Sequence, residues 1–317
     1  MTAVLSVLTN ALGTVHAYSA AVRLGVLDRI DREPGTAAEV AQACGLNGHG
    51  TALLLASLET TGLVDRLPDG RYQPIVPGLA GLHPMLAMWD NLSDVVRNGN
   101  PVLNLDKPEQ AASFYPQLVT ALGAAHESTA LHLAQNLPAA NRVLDVGAGA
   151  SPWSIALAAR DRVCKVTAMD LPAVLNTTRR ATNRAGVADQ FDYLPGDVFE
   201  IDLPVAAYDL VLVAHVCHLF DPDTVGSLLG RLRPAVAPSG ALTVVDIVPG
   251  GRAATLHELG LYLRTYGGAD HPPDRYRRWL AADGFTVTEP VVLDSDPPMF
   301  VICAQASANP NRTGERP

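Results

Sequence analysis

The chain is short of positive charge and of aromatic residues, and it has no paired cysteines. Its 23 Lys and Arg face 32 Asp and Glu, a formal net charge of −9. Nucleic acids and anionic membranes are bound by clustered Lys and Arg, so this deficit argues against both as main partners. No apolar stretch reaches the length of a membrane span, and no basic segment precedes an apolar one at the N-terminus. Cys44, Cys164, Cys217 and Cys303 are scattered without a C-x-x-C pair, as core thiols are in a reducing compartment. The expected location is therefore cytoplasmic. Aromatic residues make up only 5% of the chain, which draws attention to the pairs at 114–115 and 262–266.

What is present is more specific. With 48% hydrophobic residues, 317 residues can bury a large core and form two domains. The most informative stretch is NRVLDVGAGASPWSIALAAR, residues 141–160. Val143–Val146 is an apolar run of the kind that forms a buried parallel strand, and it stops at Gly147-Ala148-Gly149-Ala150-Ser151. A helix pattern follows from Trp153, with Ser151 as the expected N-cap and Pro152 at the first helical position. A strand feeding a glycine turn and a helix brings backbone close to a ligand. The next strand, 164–169, ends at Asp170, where doubly wound folds place the acid that binds ribose hydroxyls. Neither a third glycine of the dinucleotide pattern nor a Gly-Lys-Ser/Thr follows. Asp145 would put a carboxylate where a pyrophosphate should sit, which suits a cationic ligand such as the ammonium of S-adenosylmethionine.

VLDVGAGAS, MDLPAVL at 169–175, GDVFE at 196–200, YDLVLVAHVCHLFD at 208–221 and the later GALTVVDIV resemble the class I S-adenosylmethionine-dependent methyltransferases. Asp-Leu-Pro after the second strand and His-Leu-Phe-Asp after the fourth resemble, more narrowly, the small-molecule O-methyltransferases of the caffeic acid and hydroxyindole type. The resemblance runs from about residue 10 to 303. It implies an N-terminal winged-helix domain that makes a homodimer, and a small-molecule acceptor. One departure is the glycine-rich loop, diluted here to Gly-Ala-Gly-Ala-Ser.

The expected fold is α/β, a Rossmann-like seven-stranded sheet behind a mainly helical winged-helix domain. Residues 1–80 read as three helices and a hairpin. Leu5–Leu24 is helical and closes in GVLDRI, and Thr36 with Glu39 forms a capping box for a helix to Cys44. A third helix covers 50–61, and the hairpin turns at Asp69-Gly70. The third helix offers no Lys or Arg to a DNA groove, so this surface reads as a subunit interface. Residues 81–137 form a helical linker and pocket wall, broken at Pro84, Gly99-Asn100-Pro101 and Pro116. Residues 138–305 form the cofactor-binding catalytic domain, with strands at 142–146, 164–169, 191–195, 209–214, 241–247, 286–291 and 298–303. Residues 306–317 read as a disordered tail.

Methyl transfer to a hydroxyl requires a base that collects the proton as the bond forms, and a phenol at neutral pH needs one. His218, after a strand at the cofactor end of the sheet, is the expected general base, and the family's base histidine falls at this position. Asp246 and Asp270 are the candidate supporting carboxylates, each standing where the family has a glutamate. Asp145, Gly147, Gly149, Asp170, Leu171, Asp197, Val198, Phe199 and His215 are the expected cofactor contacts. Phe114, Tyr115, Trp153, His257, Tyr262 and Tyr266, with Trp89, are candidate walls of the acceptor pocket. His215-x-x-His218 lacks the spacing of a zinc helix, so no metal is expected. Methylation of carbon or nitrogen or a non-methylating use of the cofactor on the same scaffold, and a winged-helix regulator that senses S-adenosylmethionine, are the alternative functions.

Overall fold

Beyond residue 140, alternating apolar runs and glycine turns build a single sheet of eight strands in the computed structural model, which describes residues 2–307. The chain divides into two compact units between Ala87 and Met88. Residues 88–137, expected as a linker, thus belong to the unit that carries the sheet.

The first unit holds α1 (Thr2–Arg23), α2 (Val26–Arg32), α3 (Ala37–Cys44), α4 (Gly48–Thr60), a hairpin of β1 (Val64–Arg66) and β2 (Tyr72–Pro74), and the short α5 (His83–Ala87). GVLDRI does not close α1: Gly25, at φ 72°, ends it in the left-handed region and α2 starts afresh. The Thr36 hydroxyl accepts the Glu39 N–H and the Glu39 carboxylate accepts the Thr36 N–H, completing the expected box. Leu27, Ile30, Leu55 and Leu58 are fully buried with Tyr18 and Val40. Along α1, by contrast, Val4, Leu5, Leu8 and Leu12 are each at least 60% exposed.

The second unit runs through α6 (Leu92–Asn98), α7 (Pro108–Asn136), β3 (Arg142–Val146), α8 (Pro152–Arg160), β4 (Lys165–Asp170), α9 (Pro172–Arg184), β5 (Phe191–Pro195) and β6 (Tyr208–Ala214). It continues through α10 (Pro222–Leu232), β7 (Val236–Ile247), α11 (Gly251–Tyr262), α12 (Pro273–Ala282), β8 (Phe285–Val287), β9 (Val291–Leu293) and β10 (Met299–Ala306). The strand order is β5-β4-β3-β6-β7-β10-β8, parallel from β5 to β7, with β10 antiparallel to β7. The sixth expected strand, 286–291, is two strands because Pro290, which has no N–H to donate, separates β8 from β9. Both pair with β10, so the sheet has eight strands rather than seven.

From β3 the chain winds to β4 and β5 on one side, then returns to β6 and β7 on the other. The crevice above the C-terminal ends of β3 and β6 is therefore the switch point where open sheets bind ligands. One core lies between the sheet and α7 and α8, with Val143, Leu210, Leu133 and Leu157. The opposite core holds Leu144, Val211, Leu228, Tyr276 and Leu280. Pro116 does not break α7, which runs 29 residues through it. Phe114, Leu118, Val119 and Ala121 are buried around it, and that packing offsets the missing hydrogen bond. Ala306 ends β10 instead of opening a tail, and the rest of that segment, from 308, lies outside the described residues.

Candidate active site

The turn between β3 and α8 is held by left-handed backbone, with Gly147 at φ 65° and Gly149 at φ 56°. A Cβ on Gly147 would come within 2.5 Å of Val216 Cγ2, so only glycine lets the turn pass beneath the segment after β6. Ser151 stands at the N-cap position but is itself left-handed at φ 56°, and its side chain caps nothing. Its N–H instead closes a tight turn on the Ala148 carbonyl at 2.6 Å, which fixes the backbone away from cap geometry.

Asp145 is only 2% exposed and accepts the Ser154 hydroxyl, which ties the end of β3 to α8. Burial raises its pKa to about 6, the Ser154 bond working in the other direction. Asp170, at the end of β4, accepts the Gly149 N–H at 2.8 Å and the Leu171 N–H at 2.7 Å. It too is raised by burial to about 6, with both backbone bonds lowering it. Each of its oxygens keeps a lone pair, so the carboxylate can still accept a pair of ribose hydroxyls. Beyond β5, Asp197 accepts the Phe199 N–H at 2.9 Å, and the Val198 carbonyl accepts from Arg231 at 2.8 Å. Phe199 meets Phe220 edge to face at 5.2 Å. These residues fit an adenosyl ligand lying across the ends of β3, β4 and β5.

His218 lies in a 3₁₀ turn after β6, buried at 6% exposure. It does not cap α10: Asp221 does, accepting the Asp223 and Thr224 N–H groups. The His218 ring stands 2.6 Å from Asp246 through Nδ1. Asp246, near the end of β7, also accepts the N–H groups of His218 and Ile247 and the Tyr276 hydroxyl, the last at 2.8 Å. Burial alone would raise its pKa, but the His218 charge and hydrogen bond outweigh that and hold it well below the usual carboxylate range. An ionised Asp246 accepts a hydrogen bond from Nδ1–H, which in the neutral ring leaves His218 Nε2 free to accept a proton.

A second pair faces the first. His257 Nδ1 is 2.9 Å from Asp270, and the His257 and His218 rings meet edge to face at 4.8 Å. His257 does not open its helix but sits in the middle of α11, which begins at Gly251. The second Asp270 oxygen is buried with no partner. His215, at φ 57°, stacks on His126 at 4.4 Å and lies 5.8 Å from Trp153, with its Nε2 buried and unpartnered. Burial lowers the His215 and His126 pKa values, so both rings are neutral near pH 7.

Ligand atoms of His215, His218 and Asp246, and of His218, His257 and Asp270, lie within 4.8 Å of one another. Both groups contain an imidazole already hydrogen-bonded to its carboxylate, and the four donors on Asp246 fill that residue.

Among the aromatic candidates, Phe114 and Trp153 are buried, and the Tyr115 hydroxyl is buried without a partner. Gly260 sits 3.7 Å, measured from the Cβ it lacks, from Trp89. Tyr262 is 38% exposed and Tyr266 60% exposed. Tyr266 lines a cavity of about 410 Å³ with Asp106, Phe199, Phe220, Asp221, Thr224 and Gly267. His126, Tyr276 and Arg264 carry no motif and were not legible as site residues. His126 and Tyr276 sit on helices and Arg264 in the turn after α11, each in a position that reads as ordinary packing.

A family model for the O-methyltransferase domain matches residues 103–286. The mitomycin biosynthesis 6-O-methyltransferase of Streptomyces lavendulae is 27% identical, the match covering 90% of this chain and 89% of that protein. The tetracenomycin polyketide synthesis 8-O-methyltransferase of Streptomyces glaucescens is 25% identical, over 88% and 90% of the two chains. Human N-acetylserotonin methyltransferase, solved with S-adenosylmethionine, shares the fold at a TM-score of 0.75 and 23% identity, over 96% of this chain and 97% of that one.

Proposed function

The chain belongs to the O-methyltransferase family, enzymes that depend on S-adenosylmethionine, and from that premise we propose that it methylates a hydroxyl of an aromatic or polyketide-like small molecule. His218 is the general base. The observation that carries this reading is the His218–Asp246 pair, which leaves Nε2 free at the sheet's switch point. When bound, the cofactor supplies an electrophilic methyl on a sulfonium whose leaving group is a neutral thioether. Asp170, Leu171, Asp197, Val198 and Phe199 would hold its adenosyl half, and the Gly147–Gly149 turn and His215 would line the amino-acid end. Asp145 supports the turn from below. His218 takes the hydroxyl proton at Nε2, and Asp246 stabilises the imidazolium that results. Asp270 steadies His257 beside it. Phe114, Tyr115 and Trp153 wall the acceptor, and no step calls for a metal.

The test is incubation with methyl-labelled cofactor and a panel of phenolic metabolites, the product analysed by mass spectrometry. Label on a phenolic oxygen supports the reading, and label confined to carbon or nitrogen refutes it.

Cofactor binding should depend on pH through Asp170. A carboxyl with a pKa of about 6 loses its charge as pH falls through that value, and with it the better acceptor for hydroxyls. Affinity for S-adenosylhomocysteine is expected to be full at pH 7.5 and about tenfold weaker at pH 5. Asp170→Asn should bind weakly at both. Calorimetry across this range checks it, and a flat profile in the unaltered protein counts against Asp170 as the ribose ligand.

The assembly belonging to this reading is a homodimer through a winged-helix unit, and the protein is placed in the cytoplasm. The exposed apolar side chains of α1 support the former, and four free cysteines the latter. Light scattering at micromolar concentration should give twice the chain mass, and Leu8→Lys with Leu12→Lys should halve it. A monomer mass for the unaltered chain would contradict the dimer.

A further inference from the structure

Arg264 is a buried cation with nothing to hold. It is 8% exposed, and its guanidinium makes no hydrogen bond or ion pair among the described residues. Buried charges ordinarily come paired, because an unpaired one forfeits its hydration without return. Burial lowers the Arg264 pKa, while Tyr115 and Asp270, both near enough to act on it, work in the opposite direction.

Its position says what it awaits. His257, Gly260 and Arg264 are spaced three and four residues apart along α11 and the turn that ends it, so they share one face. Arg264 Nη1 lies 3.1 Å from the point where a Gly260 Cβ would stand. The missing side chain at Gly260 thus lets the guanidinium lie back along the helix toward His257. His257 in turn touches His218. Tyr115, close enough to Arg264 for their charges to interact, has a buried hydroxyl with no partner. An orphaned guanidinium and an orphaned phenol are donors that suit an anionic oxygen pair. The unpartnered Asp270 oxygen nearby suits a hydroxyl on the same molecule.

We infer that Arg264 and Tyr115 form a carboxylate subsite, and that the acceptor is a hydroxylated aromatic acid held by its carboxylate while a hydroxyl is presented to His218. This rests on the O-methyltransferase reading above and deepens it by naming the substrate class. The amino-acid end of the cofactor is the other carboxylate source, but it belongs at the Gly147–Gly149 turn, whereas Arg264 shares its helix face with His257 on the acceptor side.

The test measures binding by calorimetry in the presence of S-adenosylhomocysteine, pairing salicylate with phenol and 3-hydroxy-2-naphthoate with 2-naphthol. Each acid should bind at least about tenfold tighter than its decarboxylated partner. Arg264→Met should abolish that preference and leave S-adenosylhomocysteine affinity unchanged, and Arg264→Lys should restore part of it. Since an unpaired buried charge is a burden to the fold, unliganded Arg264→Met should melt at or above the temperature of the unaltered protein. Equal binding of acid and phenol would overturn the subsite. So would a large fall in melting temperature, which would make Arg264 structural. A loss of S-adenosylhomocysteine affinity in Arg264→Met with the acid preference intact would assign the guanidinium to the cofactor and overturn it equally. If the unaltered protein fails to bind S-adenosylhomocysteine at all, the methyltransferase reading fails as well; cofactor binding without acid preference defeats this inference alone.

Discussion

Replacing His218 with Ala is expected to lower kcat on a phenolic acceptor by about 10²–10⁴-fold, the usual contribution of a positioned general base. That corresponds to roughly 3–5 kcal/mol of transition-state stabilisation. The affinity for S-adenosylhomocysteine should hardly change, because the residues proposed for the ribose and adenine, Asp170 and Asp197, follow β4 and β5, whereas His218 follows β6. Raising the pH should recover part of the rate, since a phenolate arrives with its proton already gone. Steady-state kinetics with calorimetry on the same variant check both halves. Wild-type turnover at neutral pH would leave proximity alone to account for the chemistry.

Asp246→Asn should be nearly as damaging, for a reason written in its hydrogen bonds. One carboxylate oxygen accepts from His218 Nδ1 and the Ile247 N–H, and the other from the His218 N–H and the Tyr276 hydroxyl. An amide has only one accepting oxygen, so its NH₂ must face two of those donors whichever way it turns. Turned toward the ring, it forces the proton onto Nε2, the nitrogen that must be free. Turned away, it confronts the His218 main-chain N–H. Turnover should fall by about 10³–10⁴-fold, as it does when other His–Asp pairs are given the wrong tautomer. Stability should drop by about 1–3 kcal/mol from the unsatisfied buried donors. Urea denaturation and kinetics on the purified variant measure the two losses, and near-normal turnover would show that Asp246 does not set the tautomer.

Much of this was legible from local pattern. The glycine turn, the acid at the end of β4 and the Thr36–Glu39 box depend on neighbours in sequence, and each is found where periodicity and capping rules place it. His218 is readable as a residue after the strand β6, and Asp246 as one at the end of the strand β7. Their pairing is what the family resemblance implies and is found at 2.6 Å, whereas the second carboxylate, Asp270, meets His257 instead; local pattern alone does not give the contact, because it depends on β6 and β7 lying side by side in parallel. Tyr276 completes the pair from α12, where it looks like any core residue, and His126 reaches His215 from a helix that reads as a connector. The misreadings were cases of tertiary context overriding local rule. Pro116 is carried by the packing of α7, whereas Pro290 interrupts a strand at the sheet edge where nothing compensates. Ser151 was read from residue type alone, and a tight turn governs it instead.

Removal of the acceptor's proton by His218 is the step on which the proposed chemistry depends. The decisive measurement is kcat for the unaltered enzyme and for His218→Ala across ring-substituted phenols of graded acidity at neutral pH. If His218 is the base, the defect in the variant shrinks steadily as the phenol becomes more acidic and nearly vanishes for one already ionised. A defect of constant size across the series would mean that His218 positions the acceptor without taking its proton, and would contradict the mechanism.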